Sequence, residues 1–487
     1  MKKISIDPIT RLEGHGKIEI FLNDAGNVES AYLQIPELRG FEKFCEGRPI
    51  EELPRITAKI CGVCPEAHHL ASVKAADAVF KVELPSAAKK LRELFYCAHM
   101  CHSHIAHFYA LAAPDFIFGM EASPAERNIL GVVAKVGLDI GKEVIKHRAY
   151  AQEIQAVIGG RATYPVCGLP GGCSKAINEE ERKEMEKKSR SMIEFAKFSL
   201  KLFEDLVVKD KAKLELVLAK DKYFIETAYM GLVDAKNKVN FYDGDVRVVD
   251  WQGKEKLKFK PKDYLEHIAE RVEPWSYMKF PYLKTYGWQG FSPDKSHGHV
   301  RVAPLARLNA ADGMATPLAQ VEYEKMFSTF GARPVHNTLG FHWARLIELL
   351  YAGERMLELC LDKEITSPVV RVVPDKTPEE GVGIVEAPRG TLIHHYKTDQ
   401  NGMVTKANLI VATVFNNPAM NISVAQAAKA FIKDGVVNDG LLNMVEMAFR
   451  AYDPCMSCAT HSLPGQTPLV VTVKGLGGET IKSIRRD

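Results

Sequence analysis

Four cysteines stand in two pairs of like spacing at opposite ends of the chain. They are Cys61-Gly62-Val63-Cys64 and Cys455-Met456-Ser457-Cys458, the second followed by His461. Two residues between thiols let both sulfurs face one point, so each pair is a bidentate claw for a soft metal ion. A local zinc ribbon keeps its pairs roughly 15–20 residues apart. Here closing a loop of about 390 residues costs roughly 5 kcal/mol of chain entropy. The rest of the fold must therefore bring the ends together, and metal then fills a site the protein has built. Four thiolates carry four negative charges. One zinc ion leaves the set doubly negative, two divalent ions neutralise it, and isolated charge is costly to bury. Soft sulfur suits zinc, iron–sulfur and other thiophilic metals, so charge leaves the metal open while admitting a binuclear site. Glu13, Glu42, His68, Arg389 and His461 are then candidates for proton transfer, for supporting the ligands or for holding a further hard cation.

The chain that must position these groups has 487 residues, enough for an extensive core. Lys and Arg number 64 against 61 Asp and Glu, a net charge of +3 that makes no case for nucleic acid. No apolar run of about 18 residues or more suggests a membrane span. The start, Met1-Lys2-Lys3-Ile4-Ser5-Ile6-Asp7, meets Asp and Pro at once and carries no secretion signal. The ten cysteines therefore read as reduced thiols or metal ligands, and a cytoplasmic compartment is expected. Without internal repeat, low-complexity segment or linker, residues 1–461 read as one interwoven catalytic unit, with a small β insertion around 220–262.

Residues 4–6 and 17–22 read as strands, with a turn at Asn23-Asp24-Ala25-Gly26 and a return strand through Ala31-Tyr32-Leu33-Gln34. Pro65 suits the first turn of a helix through His68, His69 and Ala76, which puts Cys64 at the helix N-terminus where the dipole favours thiolate. A long helix opens at Pro85-Ser86 and runs to about Ala113, where Pro114 should stop it. It carries Cys97, Cys101, His99, His102, His104 and His107, which read as packing rather than as a second metal site. Ser123-Pro124-Ala125-Glu126 reads as a capping box for a helix to Gly159-Gly160. Another amphipathic helix starts at Asn178 and runs to about Val208. Val246 to Val249 reads as a short strand, helix resumes through His336-Asn337 to Leu359, and two β runs follow, Gly383 to Tyr396 and Ala407 to Thr413. Leu469 to Val473 and Glu479 to Ile484 read as a last hairpin. The expected fold is α+β: a mainly helical core with N- and C-terminal β segments flanking a buried binuclear metal site.

Five segments together resemble the large subunit of nickel–iron hydrogenases. They are Arg11-Leu12-Glu13-Gly14-His15, Arg39-Gly40-Phe41-Glu42, Ile60-Cys61-Gly62-Val63-Cys64, Ala387-Pro388-Arg389-Gly390, and Asp453-Pro454-Cys455-Met456-Ser457-Cys458-Ala459-Thr460-His461. The resemblance spans the chain. Phe41-Glu42-Lys43-Phe44, Val385 to Tyr396 and Asn416-Asn417-Pro418-Ala419-Met420 look most like the cytoplasmic group, and within it like the methyl-viologen-reducing, heterodisulfide-reductase-linked enzymes, with the bidirectional NAD-linked enzymes close behind.

The resemblance implies reversible heterolytic cleavage of dihydrogen at a nickel–iron centre whose iron carries CO and cyanide. Cys61 and Cys455 would be terminal nickel ligands, and Cys64 and Cys458 would bridge to the iron. Glu13 would accept a proton from the Cys455 sulfur. Arg389 would sit over the open coordination position beside Pro388, with Asp453 as its partner. His68 would hydrogen-bond near Cys64, and Thr413 would meet a cyanide. Glu42, His461 and the backbone carbonyl of Leu409 would hold a magnesium ion. The base that takes the proton could be a thiolate ligand or the Arg389 guanidine, and the sequence does not choose. Electrons must leave through iron–sulfur clusters, and the chain has no four-cysteine cluster motif beyond the two claws. Further electron-transfer subunits are therefore implied, beginning with an iron–sulfur small subunit. Tyr164 stands where related chains often have a histidine facing that subunit's nearest cluster. A maturation endopeptidase would cut after His461 and remove residues 462–487. The competing readings are a structural subunit of respiratory-complex type, which lacks the four cysteines, and a structural zinc site.

Overall fold

The computed structural model describes residues 2–35, 37–119, 122–273, 275–292, 298–460, 469–475 and 479–486. The N-terminal strands form an antiparallel meander, β1 (Lys2–Ile6), β2 (Lys17–Leu22) and β3 (Val28–Gln34). The β1–β2 connection holds Arg11-Leu12-Glu13-Gly14-His15. A short helix α1 (Phe41–Cys45) carries Glu42, and the first claw leads into α2 (Pro65–Val79), whose first residue is Pro65 and whose N-cap is Cys64, as the sequence predicts.

Helix α3 (Ser86–Ala106) does not stop at Pro114. It passes through a π-helical turn, His107–Ala112, into α4 (Ala113–Phe118), where Pro114 sits in the first turn. The reason is local: a proline is tolerated where its missing N–H is not needed, and the wide turn resets the hydrogen-bond ladder just before it. The capping box expected at Ser123 is absent as well. Ser123 Oγ accepts from the Ala125 amide inside a turn, and the helix start is Asn128, whose side chain accepts from the Leu130 and Gly131 amides. The segment beyond it forms two helices, α5 (Ile129–Val136) and α6 (Leu138–Gly159), parted at Gly137 with φ 99°. Asn178 does cap α7 (Glu179–Phe203) through a reciprocal pair with Glu181, and a π turn ends it at Val208.

A four-stranded sheet follows, made of β4 (Ala228–Val233), β5 (Asp245–Val249), β6 (Glu255–Phe259) and the later strand Val300–Arg301, which pairs parallel to β4. Helix α8 (Pro304–Ala310) and α9 (Pro317–Phe330) lead to α10 (Gly340–Leu361), which is buried nearly all round and packs against α3 and α7. Three antiparallel strands come next, β7 (Glu380–Ala387), β8 (Gly390–Thr398) and β9 (Val404–Ile410). The strand expected to reach Thr413 ends at Ile410, and Thr413 lies in the first turn of α11 (Ala412–Phe431). Helix α12 (Asp439–Arg450) and the single turn α13 (Met456–Ala459) bring the second claw in. The last hairpin is β10 (Leu469–Lys474) against β11 (Thr480–Arg486).

One contact positions the site more than any other: β7 lies directly on α2. A Cβ on Gly383 would stand 2.1 Å from the Ala71 carbonyl oxygen, and one on Gly381 would stand 2.4 Å from that of Ala75. Only glycine permits this approach. It brings the helix that begins at Cys64 against the strand that ends beside Arg389.

Candidate metal centre

The two claws meet. Cys61 Sγ lies 3.1 Å from Cys455 Sγ, Cys64 Sγ lies 3.3 Å from Cys458 Sγ, and Cys455 and Cys458 are 2.9 Å apart. All four sulfurs fall within 4.8 Å of one another, and all four residues are buried. Ligands at ~2.3 Å from a tetrahedral ion stand ~3.8 Å from each other, so a tetrathiolate set fits this span with small adjustment. The Val63 and Cys64 amides point at Cys61 Sγ, at 3.2 and 3.3 Å, which favours its thiolate. Arg39 staples the claws together: its guanidinium donates to the Ile60 and Ser457 carbonyls and, at 2.9 Å, to Thr460 Oγ1.

The four thiols share one ionisation problem. For Cys61 burial opposes the thiolate, but hydrogen bonds from the three neighbouring thiols outweigh it and hold its pKa well below the usual value. Burial pushes Cys455 and Cys458 well above it. Ionising all four together requires positive charge among them, which two metal ions supply.

Glu13 reaches this cluster from the opposite end of the chain. Its backbone forms a parallel bridge with Cys455, its carbonyl accepts from the Met456 amide at 2.9 Å, and its Oε2 accepts from the Ser457 amide at 3.0 Å. The same Oε2 accepts the Cys455 thiol hydrogen bond across 2.8 Å. Gly14 makes the approach possible: its φ is 78°, and a Cβ there would stand 2.9 Å from both Met456 Cβ and the Ser457 amide.

Arg389 is 4% exposed and donates Nη2 to Asp453 Oδ1 at 3.1 Å. Its Nε and Nη1, and Asp453 Oδ2, have no hydrogen-bond partner among the described residues. Burial works against the Arg389 charge, but Asp453 and the thiolates outweigh it and keep the guanidinium protonated. Two unengaged, buried donors beside the sulfurs suit anionic or strongly accepting groups, which is what cyanide ligands on iron would present. Thr413 Oγ1 accepts from the Cys455 amide at 3.1 Å, and its hydroxyl proton remains for a second acceptor.

His68 lies between the two claws. Its amide donates to the Cys64 carbonyl at 3.4 Å, its Nε2 lies 3.5 Å from Cys458 Sγ, and its Nδ1 is 3.1 Å from His394 Nε2. The network continues through Tyr396 Oη, 2.6 Å from His394 Nδ1, to Ser72 Oγ. Sequence reading missed His394, although its alternation with Tyr396 on one face of a β run was visible. It also missed Arg307, fully buried, which donates to Glu348 through Nε and Nη2 at 2.6 Å each, to Glu386 at 2.8 Å and to the Ala387 carbonyl at 2.8 Å. Arg307 thus fixes the backbone that presents Pro388 and Arg389. No spacing rule marks such a residue.

Glu42 lies at a second polar cluster. Its Oε1 accepts from the Leu409 amide at 2.8 Å, and Lys279 Nζ stands 3.4 Å from both Glu42 and Glu270. Burial raises the Glu42 carboxyl. His461 lies outside the described residues. Tyr164 sits at the first claw with Lys59 Nζ 3.5 Å from its ring centre, and a Cβ on Gly62 would meet its hydroxyl at 3.6 Å.

A family model described as "Nickel-dependent hydrogenase" matches residues 39–136 and 142–461, and one described as "HoxL-like" matches residues 3–38. The chain is 53% identical, over 100% of both chains, to a protein of Archaeoglobus profundus named as an iron–sulfur subunit of an F420-non-reducing hydrogenase. It is 39% identical to the "NAD-reducing hydrogenase HoxS subunit beta" of Cupriavidus necator, over 99% of each. Among solved structures it resembles an NAD+-reducing NiFe hydrogenase in the H2-reduced state with a TM-score of 0.88 at 39% identity, covering 95% of this chain and 100% of that one.

Proposed function

The chain belongs to the nickel-dependent hydrogenase family, as a catalytic large subunit that activates dihydrogen, and from that premise we propose how its residues divide the reaction. Cys61 and Cys455 would hold the nickel, and Cys64 and Cys458 would be shared between it and an iron that would carry CO and cyanide. When bound, this centre supplies the Lewis acidity that polarises dihydrogen and accepts its electrons. The chain's own part is to place a proton acceptor and to exclude stray charge. The Cys455 sulfur takes the proton and Glu13 Oε2 receives it, a transfer within hydrogen-bond reach. The Ser457 amide holds that oxygen on its line. Arg389, fixed by Asp453 and by the Arg307-anchored backbone at Ala387, keeps a positive charge over the sulfurs. His68 orients the Cys458 sulfur, and Thr413 would offer its hydroxyl to a cyanide.

The observation that carries this reading is the convergence of four buried sulfurs with one carboxylate aimed at one of them. Glu42, His461 and the Leu409 carbonyl would hold a magnesium ion. In an antiparallel strand the N–H and C=O of one residue point to the same edge, so a Leu409 amide donating to Glu42 argues that its carbonyl also faces Glu42. Oxygen donors suit a hard cation, and Lys279 would share the carboxylates with it.

Electrons leave to an iron–sulfur small subunit seated near Tyr164 and the first claw, and on through further subunits to a heterodisulfide-reductase-type or viologen acceptor. The higher identity to the F420-non-reducing relative supports that acceptor class over NAD. No helix among the described residues is long and apolar enough to cross a membrane. A cytoplasmic place for the enzyme is part of the proposal, and ten free cysteines suit a reducing compartment. An endopeptidase removes residues 462–487 once nickel is loaded. The test is metal analysis of the purified complex together with hydrogen-driven viologen reduction. Nickel and iron with turnover is the expected result, and zinc without turnover overturns it.

A further inference from the structure

Two arginines, one in the loop that carries Glu13 and one at the helix end from which the loop to Cys455 leaves, share one carboxylate. Arg11, two residues before Glu13, gives Nη2 to Asp115 Oδ1 at 2.6 Å. Arg450, five residues before Cys455, gives Nη1 to Asp115 Oδ2 at 2.7 Å. Asn443 closes the group, accepting from Arg11 at 2.8 Å and donating to Asp115 at 3.1 Å. Asp115 is 3% exposed and Arg450 is 1% exposed, so solvent does not loosen the pairs. Each guanidinium is also held elsewhere: Arg11 Nη1 on the Leu111 carbonyl at 2.9 Å, Arg450 Nη2 on Glu446 at 2.5 Å. A planar fork anchored at both ends has one direction open to it.

The position of Asp115 follows from the π turn before it. Such a turn holds one more residue than an α turn, so the segment after it is rotated by about 100° from where an uninterrupted helix would put it. Asp115 thereby faces the two loops. Past this clamp the loops meet again at Glu13, with the Met456 amide on its carbonyl and the Ser457 amide and Cys455 thiol on its carboxylate.

We propose that Asp115 is a positioning residue for hydrogen cleavage: by holding Arg11 and Arg450 on one carboxylate, it fixes the separation between Glu13 Oε2 and the Cys455 sulfur. This rests on the reading of Glu13 as the proton acceptor. Asp115 itself touches neither sulfur nor proton. Its effect is geometric, and displacement of a transfer partner by about 1 Å is enough to slow a step about 100-fold.

The test uses the loaded enzyme complex with Asp115→Asn, Glu13→Gln and both together. Hydrogen/deuterium exchange with water, viologen reduction, its solvent isotope effect and metal content are measured on each. With both metals at wild-type content, Asp115→Asn should lower exchange on the order of tenfold or more. The isotope effect on viologen reduction should rise, because proton transfer has become the slow step. In the Glu13→Gln background the same substitution should cost nothing further. An Asp115→Asn enzyme with exchange within about twofold of wild type overturns the proposal. So does one whose exchange and viologen reduction fall in proportion to metal content with an unchanged isotope effect, since that is damage to the fold. Should Asp115→Asn yield no loaded protein, Arg11→Lys, which keeps the charge and loses the fork, is read by the same outcomes. Glu13→Gln with undiminished exchange removes the acceptor reading and the clamp with it. Glu13→Gln without exchange, beside an unaffected Asp115→Asn, removes the clamp alone.

Discussion

The Cys455 thiol donates to Glu13 Oε2 across 2.8 Å, although 442 positions separate the two residues in the chain. The contact begins with the backbone. The parallel bridge between Glu13 and Cys455, with glycine at position 14, brings the two chains side by side, and the Ser457 amide holds the carboxylate toward the sulfur. A proton leaving this sulfur thus meets an acceptor whose place the fold has fixed.

Glu13→Gln keeps the size of the side chain and its acceptor for the Ser457 amide, and cannot carry a proton. Exchange of hydrogen with solvent deuterium should fall by about 100-fold or more, the usual weight of a positioned acid–base group. Nickel and iron should stay at wild-type content. Exchange at the wild-type rate would place the acceptor elsewhere.

Replacing Cys61, Cys64, Cys455 or Cys458 by serine exchanges a soft ligand for a hard one. Each variant should lose hydrogen uptake, with nickel or iron content reduced. The measurement is metal content beside activity, and one active variant holding both metals would remove that cysteine from the ligand set.

How far the sequence foretold this site depends on the kind of signal each residue carries. The claws, Pro65 and Asn178 are short-range patterns, and they fold as read, while the β run through Ala407 does so only as far as Ile410. Pro114 misled because proline is read as a stop, whereas a π turn had already shifted the ladder to receive it. The Ser123 box had the right residue types, but Gly137 and Asn128 decide where those helices begin. Arg307 and Lys279 carry no local signal at all, and the alternation of His394 with Tyr396 marks a face without naming a partner. Their partners are Glu348 and Glu386, Glu42 and Glu270, and His68, and only the tertiary fold puts those partners within reach.

His394 orients His68 by facing its Nδ1 at 3.1 Å, which leaves Nε2 for Cys458. His394→Phe keeps the ring and removes the partner. Loss of such a supporting hydrogen bond costs about 10–100-fold in activity or metal affinity, and a fall of that size is expected here. His394→Gln, which still offers a polar atom, should fall less. Equal loss in both variants would assign the effect to packing.

Asp115 also sets an acid limit on stability. Burial alone would raise its carboxyl, but Arg450 and Arg11 outweigh burial and hold it below the usual carboxylate range. A depressed folded pKa means that the stabilisation is complete above the ordinary value of ~3.9 and is lost as pH falls through the lower folded value. Asp115→Asn should therefore be less stable by about 3 kcal/mol near neutral pH, the cost of breaking a buried pair. The gap should close as pH falls below ~4. Denaturant unfolding at a series of pH values measures it, and a gap independent of pH would mean that lost packing, not charge, is responsible.

The tail is the remaining segment whose role can be settled by one measurement. Strands β10 and β11 pair with each other and with no other strand among the described residues. An isolated two-stranded hairpin is marginal in water and adds little to a core. The match to the nickel-dependent hydrogenase model ends at residue 461, before the hairpin begins. A hairpin of this kind, joined directly after the second claw, suits a role in assembly: it would keep the loop after Cys458 from closing until both metals are in place. Cleavage after His461 would then free a carboxylate at that residue and let the loop settle over the site. The active enzyme should end at His461, and a form retaining Ser462 to Asp487 should be poor in nickel and inactive. Intact mass of the turning-over protein decides it. A nickel-loaded, active chain that still carries Asp487 would show that the hairpin belongs to the finished structure.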